Sequence, residues 1–444
     1  MQFTNWPRRD TTRRVRTLLV VAAVSLVLAV SALPSNSVAQ DILDAPLERG
    51  SVIEIARRQA PSFQRAELGI RWREAELVGA EQWSTKNPTL QLQGGPRISS
   101  PGVTADVGVS GWVPIPAFFD RARNIETARA GMTSTKQDVE LARLHAVARA
   151  LDQYVRVLHA KERLNLAKER STLGEALLEI AKKREQAGDA SQLDIALASA
   201  EAAAGEASVF AARAKLHGAM QNLALALGFA ALEAESVHGS LADQHVLPKA
   251  ESASVNDLIA VALESHPRLL AADASLKRTQ AARKSSSLGW LPQVSLGAGY
   301  AFEENAHVPT LGIKTTIPIF ERRQADVARG HVAVDVATRE KELLRLEARA
   351  GVLKAIRIHA DTVAAAEILE KKALGAAVKA SHLAGLSYAA GKSELGAVLL
   401  VRRNTLLIRA EYLARQLDAA LAANHVGLVV GTLGNEANLK REIP

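Results

Sequence analysis

The sequence contains no cysteine in its 444 residues, which excludes disulfide bonds, thiolate metal sites, a cysteine nucleophile and a lipid attached to an N-terminal cysteine. Aromatic residues make up only 4% of the chain, although 48% of it is hydrophobic. The remaining composition is rich in Ala, Leu, Glu, Lys and Arg. This balance favours long helices and disfavours a conventional globular enzyme.

Proline is absent between residues 116 and 248 and again between residues 318 and 444. Helix interiors exclude proline because its ring clashes with the preceding turn and it lacks the amide donor. Both stretches therefore predict helical hairpins, with long helices at about 122–187 and 322–390. The first would be roughly 100 Å long at 1.5 Å per residue. Shorter helices running back along them are expected at about 51–86, 190–228, 254–288 and 393–431.

Acidic residues are scarce at the N-terminus, where five arginines precede an apolar run over residues 18–30. Ser37-Val38-Ala39 then supplies the small residues that a signal peptidase reads. The pattern predicts a secretory signal peptide over residues 1–39, cleaved before Gln40. The alternative is an uncleaved membrane anchor, but the run is shorter than the roughly 20 residues needed to span a bilayer.

The overall charge of +8 falls to +4 once residues 1–39 are set aside. The basic pI is therefore not an indication of nucleic-acid binding. We expect no nucleic-acid partner.

The two halves of the chain repeat one another with an offset near 200 residues, and such repeats define the architecture. Asn87-Pro88 corresponds to Leu291-Pro292, and Ala187-Gly188 corresponds to Ala390-Gly391. The predicted division is a first repeat, a linker, a second repeat and a C-terminal tail, at residues 40–229, 230–253, 254–431 and 432–444.

Each repeat also contains a segment in which apolar and polar residues alternate, as in a strand with one face in an apolar medium. Strands are predicted at about 88–98, 103–114, 292–302 and 308–319, with outer loops at 95–102 and 303–307. Their length of about ten to twelve residues suits a tilted membrane strand. A half-buried hairpin of a soluble protein would alternate too.

Aromatic residues near the hairpin ends are typical of an interfacial girdle. They are Phe118, Phe119, Trp290, Tyr300, Phe302 and Phe320. Trp112 does not fit the pattern, because it falls on the polar phase of its strand. Four strands cannot close a barrel around a lumen, and an open sheet edge is not tolerated in lipid. If the hairpins lie in a membrane, several chains must therefore share one barrel, and three chains supply twelve strands.

The duplicated order of helix, proline-bounded hairpin and helix resembles the TolC-type outer-membrane efflux proteins. The likeness covers nearly the whole mature chain, and its specific parts are AGDASQLDIALASAE from Ala187 and AGKSELGAVLLVRRNTL from Ala390. It implies a mainly α protein with a small β part. Three chains would form a 12-stranded membrane β-barrel continued by a periplasmic α-helical barrel.

The resemblance also implies a passive exit duct in the outer membrane rather than an enzyme, with no cofactor. Its partners would be two further copies of the chain, outer-membrane lipid, a periplasmic membrane-fusion adaptor and an inner-membrane pump of the resistance-nodulation-division type. In that family the segments from Ala187 and Ala390 turn at the periplasmic tips and dock the adaptor. The resemblance therefore implies a docking tip formed by Gly188, Ser191, Leu193, Gly391, Ser393 and Leu395.

The residue types at these tips suit tight helical turns. Gly188 and Gly391 can adopt the left-handed conformation that ends a helix, while Ser191 and Ser393 can cap the helix that follows. A plain pair of hairpin turns with no docking role is the alternative.

Family members narrow the closed tip with acidic residues and interhelical pairs. The candidates for such a lumen constriction are Asp189, Asp194, Lys392 and Glu394. Gly396 and Leu399 stand where better-known members place two aspartates, so a standard aspartate ring is not expected. The alternative is that the four charged residues are an ordinary solvated helix surface.

The cargo is less visible in the sequence. The short hairpin loops resemble those of the heavy-metal branch that serves cobalt, zinc, cadmium, copper or silver pumps, although no metal-ligand cluster stands out among the eleven histidines. A duct for drugs or other small molecules is one alternative, and a periplasmic structural coiled-coil protein without a barrel is another. No phosphate loop or nucleophile elbow is present that would indicate an enzyme.

Overall fold

The computed structural model describes residues 46–84, 86–99, 102–115, 120–247, 254–287, 294–303, 306–317 and 319–433. The predicted signal peptide, residues 248–253 of the linker, most of the tail and the aromatic residues Phe118, Phe119 and Trp290 lie outside this set. The chain divides into two compact units, residues 1–47 and 48–444. Of the first unit, Pro46 and Leu47 are described, and every element below belongs to the second.

The second unit is mostly helical, with one small antiparallel sheet. Its longest helix, α3, has 67 residues and is therefore about 100 Å long. The helices are α1 Arg49–Gln59, α2 Pro61–Glu81, α3 Asp120–Gln186, α4 Gln192–Leu227, α5 Val255–Ser265, α6 Pro267–Ser287, α7 Gln324–Ile368, α8 Gly375–Ala389 and α9 Leu395–Val430. Short 3-10 turns cover Ala234–Ser236 and Ala242–His245.

Two expected helices are each divided by a proline. The spans 51–86 and 254–288 were expected to be continuous, but Ala60 separates α1 from α2, and His266 separates α5 from α6. Pro61 and Pro267 each begin a new helix. Proline suits the first turn of a helix and disfavours helical backbone in the residue before it, which explains both breaks.

The long helix expected over 322–390 is also not uniform. A π-helical segment, Leu369–Leu374, separates α7 from α8. Such a segment inserts a residue into the α-helical pattern and changes which side chains share a face. The segment contains neither Pro nor Gly, so the positions of the prolines did not predict it.

The sheet has the order β1-β2-β3-β4, with β1 Thr89–Ser99, β2 Gly102–Ile115, β3 Val294–Glu303 and β4 Ala306–Thr315. All neighbouring strands are antiparallel. The loop expected at 95–102 was wrong in its extent, because β1 continues through Pro96 and Ser99 pairs with Gly102. The second loop is also shorter than 303–307, since Glu303 pairs with Ala306. The fourth strand ends at Thr315, before the expected 319.

The two faces of this sheet differ in chemistry, as the alternation predicts. The strand pairing brings Leu92, Val109 and Tyr300 onto one face and Gln91, Ser110 and Gly299 onto the other. Large side chains on the apolar face are widely exposed within the chain, for example Leu90 at 72% and Leu311 at 90%. An apolar surface of this extent requires a medium or a partner to cover it.

Trp112 lies on the polar face because glycines on the neighbouring strands make room for it. A Cβ atom added to Gly297 would lie 2.4 Å from the Trp112 ring, and one added to Gly312 would lie 3.0 Å from it. The indole therefore covers backbone on β3 and β4 that has no side chain of its own. This contact extends from the first hairpin across both strands of the second.

The helices nearest the sheet continue the order of its strands. Helix α2 leads into β1, α3 follows β2, α6 leads into β3 and α7 follows β4. These helices pack side by side in the same order, α2 on α3, α3 on α6, and α6 on α7. This part of the molecule is thus a wall one element thick, whose outermost elements are α2 with β1 and α7 with β4.

Further from the sheet, the returning helices complete the bundle. Helix α4 packs on α3, and α9 packs on α7, α3 and α8. A buried cluster that includes Leu258, Val352 and Val426 joins α5, α7 and α9.

Candidate functional site: the paired helical turns

The first turn joins α3 to α4 and has the hydrogen bonds of a Schellman cap. Gly188 has a φ of 84°, its N–H donates to the Glu185 carbonyl oxygen at 2.9 Å, and the Asp189 N–H donates to the Arg184 carbonyl oxygen at 2.8 Å. Only glycine adopts this backbone conformation without strain. Gly188 therefore serves the turn as expected.

The next helix begins with a capping box. The Asp194 N–H donates to Ser191 Oγ at 3.2 Å, and the Ser191 N–H donates to Asp194 Oδ2 at 3.0 Å. Asp194 thus has a structural role in the turn in addition to its proposed role at a constriction.

The second turn joins α8 to α9. It has a glycine in the same left-handed conformation as the first turn, but it lacks the serine cap. Gly391 has a φ of 73°, and its N–H donates to the Tyr388 carbonyl oxygen at 2.9 Å. The residue at the N-cap is Glu394, without a side-chain capping bond. The expectation that Ser393 caps α9 was therefore wrong, and its buried hydroxyl oxygen has no hydrogen-bond partner in the described part of the chain.

Arg184 holds the two turns together. One guanidinium nitrogen, Nη2, donates to the Asp189 carbonyl oxygen at 3.0 Å, and Nη1 donates to the Tyr388 carbonyl oxygen at 3.1 Å. The guanidinium carbon also lies 4.6 Å from the centre of the Tyr388 ring, a cation–π distance. The sequence prediction missed both residues. A basic residue in the last turn of α3 was the only signal for Arg184.

A buried apolar cluster lies beneath the turns. It consists of Leu177, Ala181, Ala198, Tyr388, Leu395 and Val398. Leu395, which was expected at a docking tip, is only 1% exposed and supports the turns from within, whereas Leu193 is 66% exposed. Burial raises the pKa of the Tyr388 hydroxyl, and the nearby carboxylate of Asp194 raises it further.

The structure brings both turns to one end of the bundle through the Arg184 contacts. Asp189, Lys392 and Glu394 are exposed there, and Asp194 is half-buried. This end is polar and accessible, while the cluster beneath it is apolar and buried. Such an arrangement suits contact with another molecule, or with other copies of the same turns.

Arginines connect the two halves of the chain further along the helices as well. Arg402 Nη1 donates to the Leu173 carbonyl oxygen at 2.9 Å, and Arg409 Nη2 donates to Glu169 Oε1 at 3.2 Å. Nearby, α3, α4 and α9 enclose a groove of about 850 Å³ with basic and leucine side chains. Its basic residues are Arg163, Arg170, Lys215 and Arg403.

The described residues contain no group of three or more His, Asp or Glu side chains that could hold a metal ion. Among them one helix, α4, is long and apolar enough to cross a membrane by length and composition. Helix α4 packs along α3.

A helical bundle of this length, continued by a four-stranded sheet with an exposed apolar face, suits a membrane channel subunit. The family model for the outer membrane efflux protein matches residues 52–229 and 258–432, which is more than half of the chain. The chain therefore belongs to the outer membrane efflux protein family.

Individual proteins are similar to this chain in sequence or in fold. The chain is 27% identical over 311 residues to the cobalt-zinc-cadmium resistance protein CzcC of Cupriavidus metallidurans, covering 70% of this chain and 71% of CzcC. The Campylobacter jejuni CmeC outer membrane channel has a similar fold, with a TM-score of 0.68 and 14% identity over 89% of this chain and 90% of CmeC. The open state of the Neisseria gonorrhoeae MtrE channel gives a TM-score of 0.67 and 18% identity over 87% of this chain and 89% of MtrE.

Membership places the protein in the outer membrane, with its helical part extending into the periplasm, as an efflux channel of tripartite systems. The expectation of a passive duct rather than an enzyme is confirmed.

Proposed function

We propose that three copies of this chain form a continuous exit duct, a 12-stranded barrel in the outer membrane joined to a periplasmic helical tube. The observation that carries the proposal is the two-faced sheet, whose apolar side chains are exposed within a single chain. Lipid would cover that face, and the polar face would line the lumen. The outermost strands β1 and β4 would pair between neighbouring copies, since open edges are not tolerated in lipid.

Two repeats would give each copy its four strands. The family model matches the chain twice, over 52–229 and 258–432, and this supports repeats at 40–229 and 254–431 with a linker at 230–253. Each repeat then contributes one hairpin to the barrel and one pair of long helices to the tube.

The assembly is tested by fractionation and mass measurement. We expect the protein in the outer-membrane fraction as a detergent-requiring trimer whose gel mobility changes on heating. A soluble monomer would instead support a periplasmic coiled-coil protein and would remove the barrel proposal.

The paired turns are the proposed docking tip for a membrane-fusion adaptor that connects the duct to an inner-membrane pump of the resistance-nodulation-division type. Gly188, Ser191, Leu193, Gly391 and Ser393 form its accessible or turn-forming part. Asp189, Asp194, Lys392 and Glu394 are the proposed constriction residues. Support comes from the exposure of Leu193 and the convergence of both turns.

Docking is tested with a bulky residue at the turn. Gly188→Leu should abolish efflux while trimers still form, whereas Gly218→Leu should not, because Gly218 lies within α4 with nothing within 4 Å of an added Cβ. Normal efflux by the Gly188 variant would remove the docking proposal.

The proposed cargo is heavy-metal cations, on the basis of the 27% identity to CzcC. The alternative is a duct for drugs or other small molecules. Deletion of the gene, followed by a panel of metal and drug susceptibilities, separates the two. Hypersensitivity to divalent metals supports the first, and sensitivity to organic compounds alone supports the second.

A further inference from the structure

Helix α2, at one margin of the wall, has two apolar faces. One face packs on α3, where Phe63, Ala66 and Ile70 meet Val139. The other carries Leu68, Trp72, Ala75 and Gly79, at the four-three-four spacing that places residues in one line along a helix. Leu68 is 58% exposed and Trp72 is 71% exposed. We call this line the outer seam of α2.

Helix α7, at the opposite margin, has the same property. Its inner face includes the buried residues Ala337 and Leu344, and Lys341 Nζ lies 2.6 Å from Asp273 Oδ1 of α6. A second line of residues runs at the alternating four-three spacing of a coiled-coil seam. This outer seam of α7 consists of Val332, Val336, Arg339, Leu343 and Leu346. Its four apolar members are 55% to 65% exposed.

Residues of the two outer seams lie at matching distances from the sheet. Helix α2 runs toward the sheet and ends at Glu81, while α7 runs away from it and begins at Gln324. At 1.5 Å per residue, Trp72 is about 14 Å from the sheet end of α2, and Val332 is about 12 Å from that of α7. Leu68 and Val336 lie at about 20 Å and about 18 Å on the same scale.

The shapes of the seams are complementary as well. A surface depression of about 470 Å³ on α7 is lined by Asp335, Val336, Arg339, Glu340 and Leu343. Helical side chains lean toward the N-terminus of their own helix, so Trp72 leans away from the sheet and the α7 side chains lean toward it. This brings the indole level with the depression. Arg339 would then lie against an aromatic face, a favourable cation–π arrangement.

We propose that the outer seam of α2 packs against the outer seam of α7 in a second copy of this chain, with Trp72 filling the depression between Val336, Arg339 and Leu343. This proposal rests on the proposed trimer and names the contact that closes it on the periplasmic side of the barrel. The contact is heterologous, with different surfaces meeting, so that repetition around an axis produces a closed ring. It continues the pairing of β4 with the neighbouring β1.

The absence of cysteine allows a direct test in the intact protein. In the double variant Leu68→Cys with Val336→Cys, oxidation should convert most of the protein into covalent trimers on a non-reducing gel. Each single variant alone should stay uncrosslinked, while trimers mixed from the two single variants should yield covalent dimers. Glu67→Cys with Val336→Cys is the matched control, since Glu67 is exposed next to Leu68 but lies off the seam.

Native mass in detergent, measured on the same samples, separates this proposal from the trimer itself. A trimeric double variant that does not crosslink, or a control pair that crosslinks equally well, overturns the seam contact and leaves the proposed duct standing. A monomeric wild type overturns both. Trp72→Ala should lower the temperature at which the trimer dissociates, and Trp72→Phe should lower it less.

Discussion

The guanidinium of Arg184 binds the carbonyl oxygen of Tyr388 at 3.1 Å and stacks over the ring of the same residue, although 204 positions separate the two in the sequence. Because Arg184 also donates to the Asp189 carbonyl oxygen, a single side chain couples the first turn to the second. The tip of each chain therefore behaves as one unit rather than as two independent loops.

Removing this side chain should loosen the tip without unfolding the bundle. For Arg184→Ala we expect a local loss of about 1.5 to 3 kcal/mol, the usual range for hydrogen bonds to a charged group. Hydrogen exchange should quicken at the amides of both turns. Arg184→Lys should restore only part of the protection, since an ammonium group lacks the planar fork. If exchange quickens in the first turn alone, Arg184 does not couple the turns.

The two serines of the turns should respond differently to alanine. Ser191→Ala should destabilise the first turn of α4 by about 1 kcal/mol, because the Asp194 N–H loses its capping acceptor. Ser393→Ala should be neutral or slightly stabilising, since its hydroxyl oxygen is buried without a partner in the described structure. Amide exchange in the first turns of α4 and α9 measures both effects. Equal losses in the two variants would contradict the difference in capping.

Because Trp112 packs on the sheet, alanine should be far more disruptive at Gly297 than at Gly111. Gly297→Ala places a methyl group 2.4 Å from the indole and should displace it, which lowers the yield of folded, heat-modifiable protein. Gly111→Ala is the matched control, because nothing lies within 4 Å of its added Cβ. It should leave that yield unchanged. Intrinsic tryptophan fluorescence would report the displacement, and an unchanged spectrum in the Gly297 variant would refute it.

Acid should weaken the helical part through two half-buried histidines, His159 and His266. Burial, together with the nearby Arg163 and Arg156, lowers the pKa of His159 to about 4. The pKa of His266 is also lowered, chiefly by burial. Its Nδ1 accepts the Arg268 N–H at 3.1 Å, which requires the neutral ring. In the unfolded chain these histidines take up protons near pH 6.5. The stability that their neutral forms contribute is therefore fully present above that pH and is lost progressively as the pH falls toward 4.

Thermal unfolding between pH 7.5 and pH 4.5 measures this loss. The variant His159→Gln should show a shallower decline than the wild type, while His217→Gln, at an exposed position on α4, should follow the wild type. Half-buried carboxyls such as Asp152, whose pKa is raised by desolvation, are common to all three proteins and cancel in the comparison. Parallel declines in the two variants would show that His159 is not responsible.

Local patterns in the sequence predicted much of the architecture. The proline gaps located the long helices, and period-two alternation located four strands with the correct apolar face. Gly188 and Gly391 marked the turns because a left-handed backbone is a local requirement. Features that depend on distant partners were missed, including the burial of Leu395. The cluster around Leu395 includes Leu177 and Ala181 of α3 and Ala198 of α4, which belong to the other half of the chain.

The sequence by itself determined that the chain forms long helices, membrane-length strands and glycine turns, because periodicity and proline exclusion act within a few residues. Tertiary structure alone decided that Arg184 reaches Tyr388, that Trp112 covers the backbone of Gly297 and Gly312, and that α2 and α7 stand at opposite margins of one wall. The physical reason is that hydrogen bonds and close packing depend on distance in space, and residues far apart in the chain leave no local pattern of their meeting.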